Sequence, residues 1–161
     1  MTSTEREGHG GEAFELTSLQ DLYQQVILDH YRRPRNKGAL EDATHTLTLN
    51  NPLCGDVIDL MLRLNGDRIE SVHFQGKGCS ISQASASMMS GVLEGRTVDE
   101  AMELMRTFTG MLKGDSDAAA DPDLGDLRAL VGVSRFPVRV KCALLAWNCL
   151  EELIGPESSR W

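Results

Sequence analysis

The sequence lacks an excess of basic residues, and it also lacks a long apolar run. Its 16 Lys and Arg residues face 24 Asp and Glu residues, which leaves a net charge of −8. Because proteins bind nucleic acid largely through Lys and Arg, neither DNA nor RNA is the expected partner. No stretch approaches the roughly 18 apolar residues of a membrane helix, and no signal-peptide pattern opens the chain. We therefore expect a cytoplasmic protein that has no membrane partner.

Several common catalytic and metal-binding motifs are missing as well. The sequence contains no phosphate-binding glycine loop, no Ser/His/Asp order and no paired catalytic carboxylates. It contains no paired C-x-x-C motifs, so a local zinc knuckle is excluded. Four cysteines are nevertheless present. In a cytoplasmic chain they indicate metal binding or reactive thiols before they indicate disulfides.

The hydrophobic periodicity predicts a single α+β domain with a small three-stranded antiparallel sheet and about five helices. A period of two over residues 44–49, 57–64 and 69–75 predicts the strands, and Asn65-Gly66-Asp67 predicts a tight hairpin turn between the last two. Helical periods predict the helices, and three of them start at predicted capping residues: the N-cap Ser18, a capping box from Ser80 to Gln83 and a capping box from Thr97 to Glu100. These helices cover approximately residues 18–31, 80–94, 97–112, 124–131 and 137–154.

The predicted domain runs from residue 18 to residue 155. Residues 1–17 are rich in Gly, Glu and Thr and are predicted to be a disordered extension, and residues 156–161 form a C-terminal tail. Within the domain, Lys113 to Asp126 carries five aspartates without the ordered spacing of a calcium-binding loop. We interpret it as a mobile acidic loop within an insertion of about residues 113–131.

A thiol and a carboxylate lie two residues apart in Asn51-Pro52-Leu53-Cys54-Gly55-Asp56. Glycine permits a tight backbone turn and proline stiffens the approach to it, so Cys54 and Asp56 can face one point. Both are ligands that zinc accepts. The motif therefore predicts half of a metal site.

The remaining cysteines differ in what they indicate. Cys79 follows two glycines and precedes a predicted helix, whose N-terminus favours a thiolate. Cys142 lies in the first turns of the last helix. Cys149 lies two turns further on, roughly 10 Å along the axis, too far to share one metal ion with Cys142. Cys149 is interpreted as a small buried residue of the core. The pattern alone leaves two alternatives for the other three, a Cys₃Asp metal site or unrelated buried thiols.

Four linked motifs resemble the U-type iron–sulfur cluster assembly proteins, the family of IscU and of the NifU N-terminal domain. They are LYQQVILDHYRRPRNKG at 22–38, NPLCGD at 51–56, GKGCSIS at 76–82 and KCALLAW at 141–147. They follow the family's order and span nearly the whole chain. Lys141 stands where scaffold members have a histidine, and the insertion at about 113–131 is absent from those members. In both features this chain resembles the SufU branch of the family.

The resemblance implies a three-stranded antiparallel sheet backed by helices, and a zinc ion bound by Cys54, Asp56, Cys79 and Cys142. It also implies a sulfurtransferase-like function, in which Cys54 accepts persulfide sulfur from a SufS-type, PLP-dependent cysteine desulfurase and passes it to a downstream SUF-type assembly scaffold. Arg139 and Lys141 are candidates for supporting roles. Arg139 either holds Asp56 or counters the negative charge of the site, and the alternative is that it is simply exposed. Lys141 adjoins the ligand Cys142, and the alternative is that it is only solvated.

Two alternatives remain open. The same ligands suit iron or a transient [2Fe–2S] cluster, which would make the protein a scaffold. A protein of a different class, a binding module with a purely structural zinc, would have an inert Cys54.

Overall fold

The computed structural model describes residues 19–155. The predictions for the N-terminal extension, for the cap at Ser18 and for the C-terminal tail lie outside the described residues. Within them, helix α1 covers residues 19–32, and strands β1 (His45–Asn51), β2 (Asp56–Asn65) and β3 (Arg68–Lys77) follow. Helices α2 (Ser80–Leu93), α3 (Val98–Leu112) and α4 (Ser116–Ala119) come next. A 3₁₀ segment (Pro122–Arg135) then leads into helix α5 (Pro137–Ile154).

The sheet is the antiparallel meander that the period of two predicts, with strand order β1-β2-β3. Asn65 pairs with Arg68, so Gly66 and Asp67 form a two-residue hairpin loop. Gly66 adopts a φ of 62°, a value that glycine reaches without steric cost. This turn confirms the predicted one, and the sheet with its helices confirms the predicted α+β class.

The core lies between the sheet and the helices packed on it. Helices α2 and α5 contact the strands, and α3 and the 3₁₀ segment pack outside them. The largest fully buried rings are Trp147 of α5, Phe108 of α3 and Phe74 of β3, with the first two centred 5.1 Å apart. Met102 and Met105 are also buried, so the methionines of α3 belong to the core. Helix α3 begins with the predicted capping box between Thr97 and Glu100.

The acidic stretch after α3 corrects one expectation. We expected Lys113 to Asp126 to be a loop, but it folds into α4 and the start of the 3₁₀ segment. Asp115 accepts hydrogen bonds from two backbone N–H groups at the start of α4, and Asp121 accepts one at the start of the 3₁₀ segment. These aspartates are helix caps, which is why an acidic, Gly-containing stretch forms ordered turns.

His30 connects α1 to two other elements. Its Nδ1 lies 2.8 Å from the Ser87 hydroxyl of α2, and its Nε2 lies 2.8 Å from an Asp126 carboxylate oxygen of the 3₁₀ segment. The Ser87 oxygen also accepts the backbone N–H of Arg35 at 2.8 Å. His30 is buried, so this network fixes the end of α1 against the domain.

Candidate metal centre

The tip of the β1–β2 hairpin presents Cys54. Asn51 and Asp56 are the last residues paired across the two strands, and the residues between them form the loop. The Asn51 carbonyl accepts the N–H groups of Cys54 and Gly55 at 3.2 and 2.9 Å. Its side-chain oxygen accepts the N–H of Leu53 at 3.1 Å. Gly55 has a φ of 68°, so the turn needs glycine there and leaves Cys54 half-buried.

Asp56 is completely buried at the start of β2. Its Oδ1 accepts the backbone N–H of Cys79 at 2.8 Å, and its Oδ2 lies 3.8 Å from the Cys79 sulfur. Gly78 makes this approach possible, because a Cβ there would lie only 2.2 Å from Asp56 Oδ1. Asp56 takes part in none of the ion pairs found among residues 19–155.

Cys79 is the N-cap residue of α2, and its sulfur accepts the N–H of Ser82 at 3.5 Å. We expected a cysteine at or just before this helix N-terminus, and that placement is confirmed. The predicted capping box starting at Ser80 is wrong, because the helix begins one residue earlier than that box requires and the Cys79 thiol supplies the cap. Cys79 is exposed, so its sulfur is accessible from solvent.

Cys142 approaches the same point from the first turns of α5. Cys142 is 2% exposed, and its thiol donates to the Cys54 sulfur at a distance of 3.0 Å. Burial, followed by the hydrogen bonds to Cys54 and Asp56, raises the pKa of the Cys142 thiol far above its ordinary value. Without a cation beside it, this sulfur stays protonated.

Ligand atoms of Cys54, Asp56 and Cys142 all lie within 4.8 Å of one another. Cys79 adjoins this group through Asp56. Thiolates and carboxylates are ligands that zinc accepts, and a buried carboxylate without an ion-pair partner favours a nearby cation. The donor set therefore fits a divalent metal such as zinc.

The two supporting candidates, Arg139 and Lys141, lie in the first turns of α5. The Arg139 guanidinium stands over the Phe136 ring, 5.0 Å from its centre, and Arg139 and Lys141 are both exposed. Among the described residues, Asp56 accepts hydrogen bonds from Cys79 and Cys142 and not from Arg139. Arg139 thus does not hold Asp56 in this structure. A role for Arg139 in countering the charge of the site, and a supporting role for Lys141 beside Cys142, stay predictions.

Cys149 and two histidines of the strands, His45 and His73, are not part of this group of ligands. Cys149 is fully buried and donates to the Leu47 carbonyl at 3.2 Å, which confirms its core position. His45 and His73 bond to Thr44 and to the Ala39 carbonyl. Gly78 and Asn51 have positioning roles that the motifs do not predict, although an Asn-Pro pair is a recognisable turn signal.

The candidate metal centre opens onto a groove of about 880 Å³. Helix α1 forms one wall, and the end of the 3₁₀ segment with the start of α5 forms the other. Cys54, Cys79 and Cys142 line it. Large apolar side chains are exposed near the centre, with Leu53 70%, Phe136 50% and Val138 55% accessible. Exposed apolar groups clustered in this way are typical of interaction surfaces.

Fold and site together define a small α+β domain that gathers three thiols and a buried carboxylate around one surface point. The family model of the NifU-like N-terminal domain matches residues 22–143, and the chain belongs to that family of iron–sulfur cluster assembly proteins.

Individual relatives carry two different names. The chain is 47% identical to a protein of Bacillus subtilis named zinc-dependent sulfurtransferase SufU, over 87% of this chain and 94% of that protein. It is 44% identical to a protein of Streptococcus pyogenes named iron–sulfur cluster assembly scaffold protein IscU, over 86% of each. The solved structure of a SufU from Fervidobacterium islandicum, studied as a scaffold candidate for the SUF system, superposes with a TM-score of 0.71 at 34% identity. The superposition covers 80% of this chain and 93% of the Fervidobacterium chain.

Within residues 19–155, no helix is both long and apolar enough to cross a membrane.

Proposed function

We propose that this protein is a zinc-bound sulfur acceptor and carrier, in which Cys54 takes persulfide sulfur from a SufS-type cysteine desulfurase. The observation that carries the proposal is the donor group itself: two thiols and a carboxylate within 4.8 Å, with a third cysteine beside the carboxylate. Support comes also from the 47% identity to a protein named a zinc-dependent sulfurtransferase. Cys54, Asp56, Cys79 and Cys142 are the proposed zinc ligands.

Cys54 suits the acceptor role better than the other three ligands. Asp56 and Cys142 are buried, whereas Cys54 is half-buried at the tip of a hairpin loop. Cys79 is exposed, but its sulfur caps α2 and lies against Asp56. A nucleophile that exchanges sulfur with a partner's cysteine must reach outwards, and a loop residue can do so without moving a helix.

The proposed reaction is a thiol–persulfide exchange. When bound, zinc keeps its thiol ligands deprotonated and contributes no redox chemistry of its own. The Cys54 thiolate attacks the outer sulfur of the desulfurase persulfide, a new S–S bond forms on Cys54, and the desulfurase thiolate leaves. Asp56, anchored by the Cys79 N–H, stays in place during this exchange. The carrier then delivers its outer sulfur to a SUF-type scaffold.

The groove next to the site provides a surface on which the desulfurase can dock. Its rim combines the exposed side chains of Phe136 and Val138 with the cations Arg135 and Arg139, and the exposed Leu53 precedes Cys54 in the hairpin loop. Apolar groups surrounded by polar ones are typical of protein interfaces. Docking there would bring a partner's loop directly to Cys54.

A second candidate function is a scaffold that builds a transient [2Fe–2S] cluster on the same ligands. The 44% identity to a protein named IscU favours it. Metal analysis separates the two: one zinc per chain and no visible absorption in anaerobically purified protein supports the carrier, and bound iron with a coloured chromophore supports the scaffold. In the third alternative, a purely structural zinc, Cys54 would resist alkylation even when the desulfurase is present.

The test uses the zinc-loaded chain with its cysteine desulfurase, PLP and cysteine, and follows alanine formation without strong reductant. The wild-type chain should stimulate alanine formation, and Cys54→Ala should abolish that stimulation. Cys149→Ala, which removes a thiol outside the site, is the control and should stimulate like the wild type. Full stimulation by Cys54→Ala would rule out the acceptor role.

A further inference from the structure

The closest pair of sulfur atoms in the cluster belongs to Cys54 and Cys142. Their Sγ atoms lie 3.0 Å apart. Two sulfurs bound to one zinc at about 2.3 Å would stand roughly 3.8 Å apart in a tetrahedral site. A disulfide needs about 2.05 Å. The observed separation lies between the two, so only a small movement of the hairpin loop separates metal ligation from disulfide formation.

We propose that Cys54 and Cys142 are a redox modification site, where a peroxide converts the two thiols into a reversible disulfide that excludes the metal. The disulfide and the metal exclude each other because both use the same two sulfurs. The proposal stands on the geometry of the thiols and does not require that Cys54 accept persulfide sulfur.

The oxidation proceeds in two balanced steps. The Cys54 sulfur, the more accessible of the pair, attacks one oxygen of hydrogen peroxide; the O–O bond breaks, and sulfenic acid forms with release of water. The Cys142 sulfur then attacks the Cys54 sulfur, the S–O bond breaks, and a second water leaves with a proton that comes from the Cys142 thiol or, where that thiol would be bound to metal, from solvent. One peroxide is reduced to two waters while two thiols become one disulfide.

The geometry also indicates which cysteine forms the disulfide with Cys54. Cys79 lies outside the group of atoms within 4.8 Å of one another, and its sulfur accepts the N–H of Ser82 at the start of α2. Cys149 is fully buried and bonded to the Leu47 carbonyl. Cys142 is the one cysteine in direct contact with Cys54 within the described chain.

Three readouts on the zinc-loaded full-length chain test the proposal during stepwise addition of hydrogen peroxide. A chromogenic chelator measures zinc release, intact mass measures the loss of two hydrogens, and peptide mapping without reduction identifies the linked cysteines. We expect one zinc released per disulfide, a Cys54–Cys142 link, and recovery of zinc binding after treatment with dithiothreitol and zinc.

Variants sharpen the assignment. Cys79→Ser and Cys149→Ser should keep the Cys54–Cys142 link. Cys142→Ser should lose it, with Cys54 advancing to sulfinic acid that dithiothreitol does not reverse. Circular dichroism checks that Cys142→Ser is folded. If it is not, the peptide map of the wild type decides which cysteines are linked. A dominant Cys54–Cys79 link, or sulfinic acid without any crosslink in the wild type, would overturn the proposal.

Discussion

Gly78→Ala should damage the candidate metal centre without touching a single ligand. The added Cβ would lie 2.2 Å from Asp56 Oδ1 and 2.8 Å from the Ser82 hydroxyl. Because real Cβ atoms do not approach within 3.0 Å of such atoms, the Asp56 carboxylate must move away. That movement breaks the 2.8 Å hydrogen bond from the Cys79 N–H to a fully buried carboxylate.

The expected loss of stability in Gly78→Ala follows from the hydrogen bond between the Cys79 N–H and Asp56. Hydrogen bonds to charged groups contribute about 1.5–3 kcal/mol, so we expect the free energy of unfolding to fall by about 2 kcal/mol. Displacing the carboxylate should also weaken zinc binding by roughly 10–100-fold, as changes next to metal ligands do. Urea denaturation with chelator present measures the first quantity, and competition with a chromogenic chelator measures the second.

Gly91→Ala is the matched control, since it makes the same substitution within α2. A Cβ at Gly91 meets nothing within 4 Å, and alanine favours a helix by up to about 1 kcal/mol over glycine. This variant should therefore be as stable as the wild type or more so, with unchanged zinc affinity. If Gly78→Ala behaved like Gly91→Ala in both assays, our account of how Asp56 is positioned would be wrong.

Three further predictions concern stability and are measured by denaturant titration. His30→Ala should lower the free energy of unfolding by about 2–4 kcal/mol, since it removes a buried side chain with two hydrogen bonds. Asp126→Asn is the comparison, and because this carboxylate is 59% exposed, the substitution should lower the free energy of unfolding by less than about 1 kcal/mol. Thr97→Ala should cost about 1 kcal/mol, because it removes the cap of α3, and an unchanged midpoint would contradict that role. Burial raises the pKa of the Cys149 thiol from 9.0 to about 12. As pH rises, the unfolded chain therefore loses the Cys149 proton at a lower pH than the folded chain does. The free energy of unfolding should fall as pH rises from 9 towards 12. Cys149→Val should make that fall shallower, and an equal slope in both proteins would refute the assignment.

The strands and most helices could be predicted because their signals are local. Alternation of apolar residues located all three strands, and Thr97 with Glu100 marked the start of α3. The acidic stretch was misinterpreted because composition suggested solvation, whereas Asp115 and Asp121 act as caps. At the end of that stretch and just beyond it, where a helix was predicted at about residues 124–131, Leu124, Leu127 and Leu130 recur every three residues, the period of a 3₁₀ helix, and all three are buried.

The site could be predicted only in part, because its residues are far apart in the sequence. Local chemistry pointed to Cys54 and Asp56, and the family resemblance added Cys79 and Cys142. Neither source gives the contact between Cys54 and Cys142, which depends on how α5 packs beside the β1–β2 hairpin. The role of Gly78 likewise depends on a tertiary approach, between the start of β2 and the start of α2.

The most direct test of the central claim is the location of the transferred sulfur. The zinc-loaded chain is incubated with its cysteine desulfurase and cysteine in the absence of reductant, persulfides are trapped by alkylation, and the modified peptides are mapped by mass spectrometry. Our account predicts one extra sulfur on Cys54 and none on Cys149. An extra sulfur confined to Cys79 or Cys142, or none on this chain while the desulfurase itself is loaded, would contradict it.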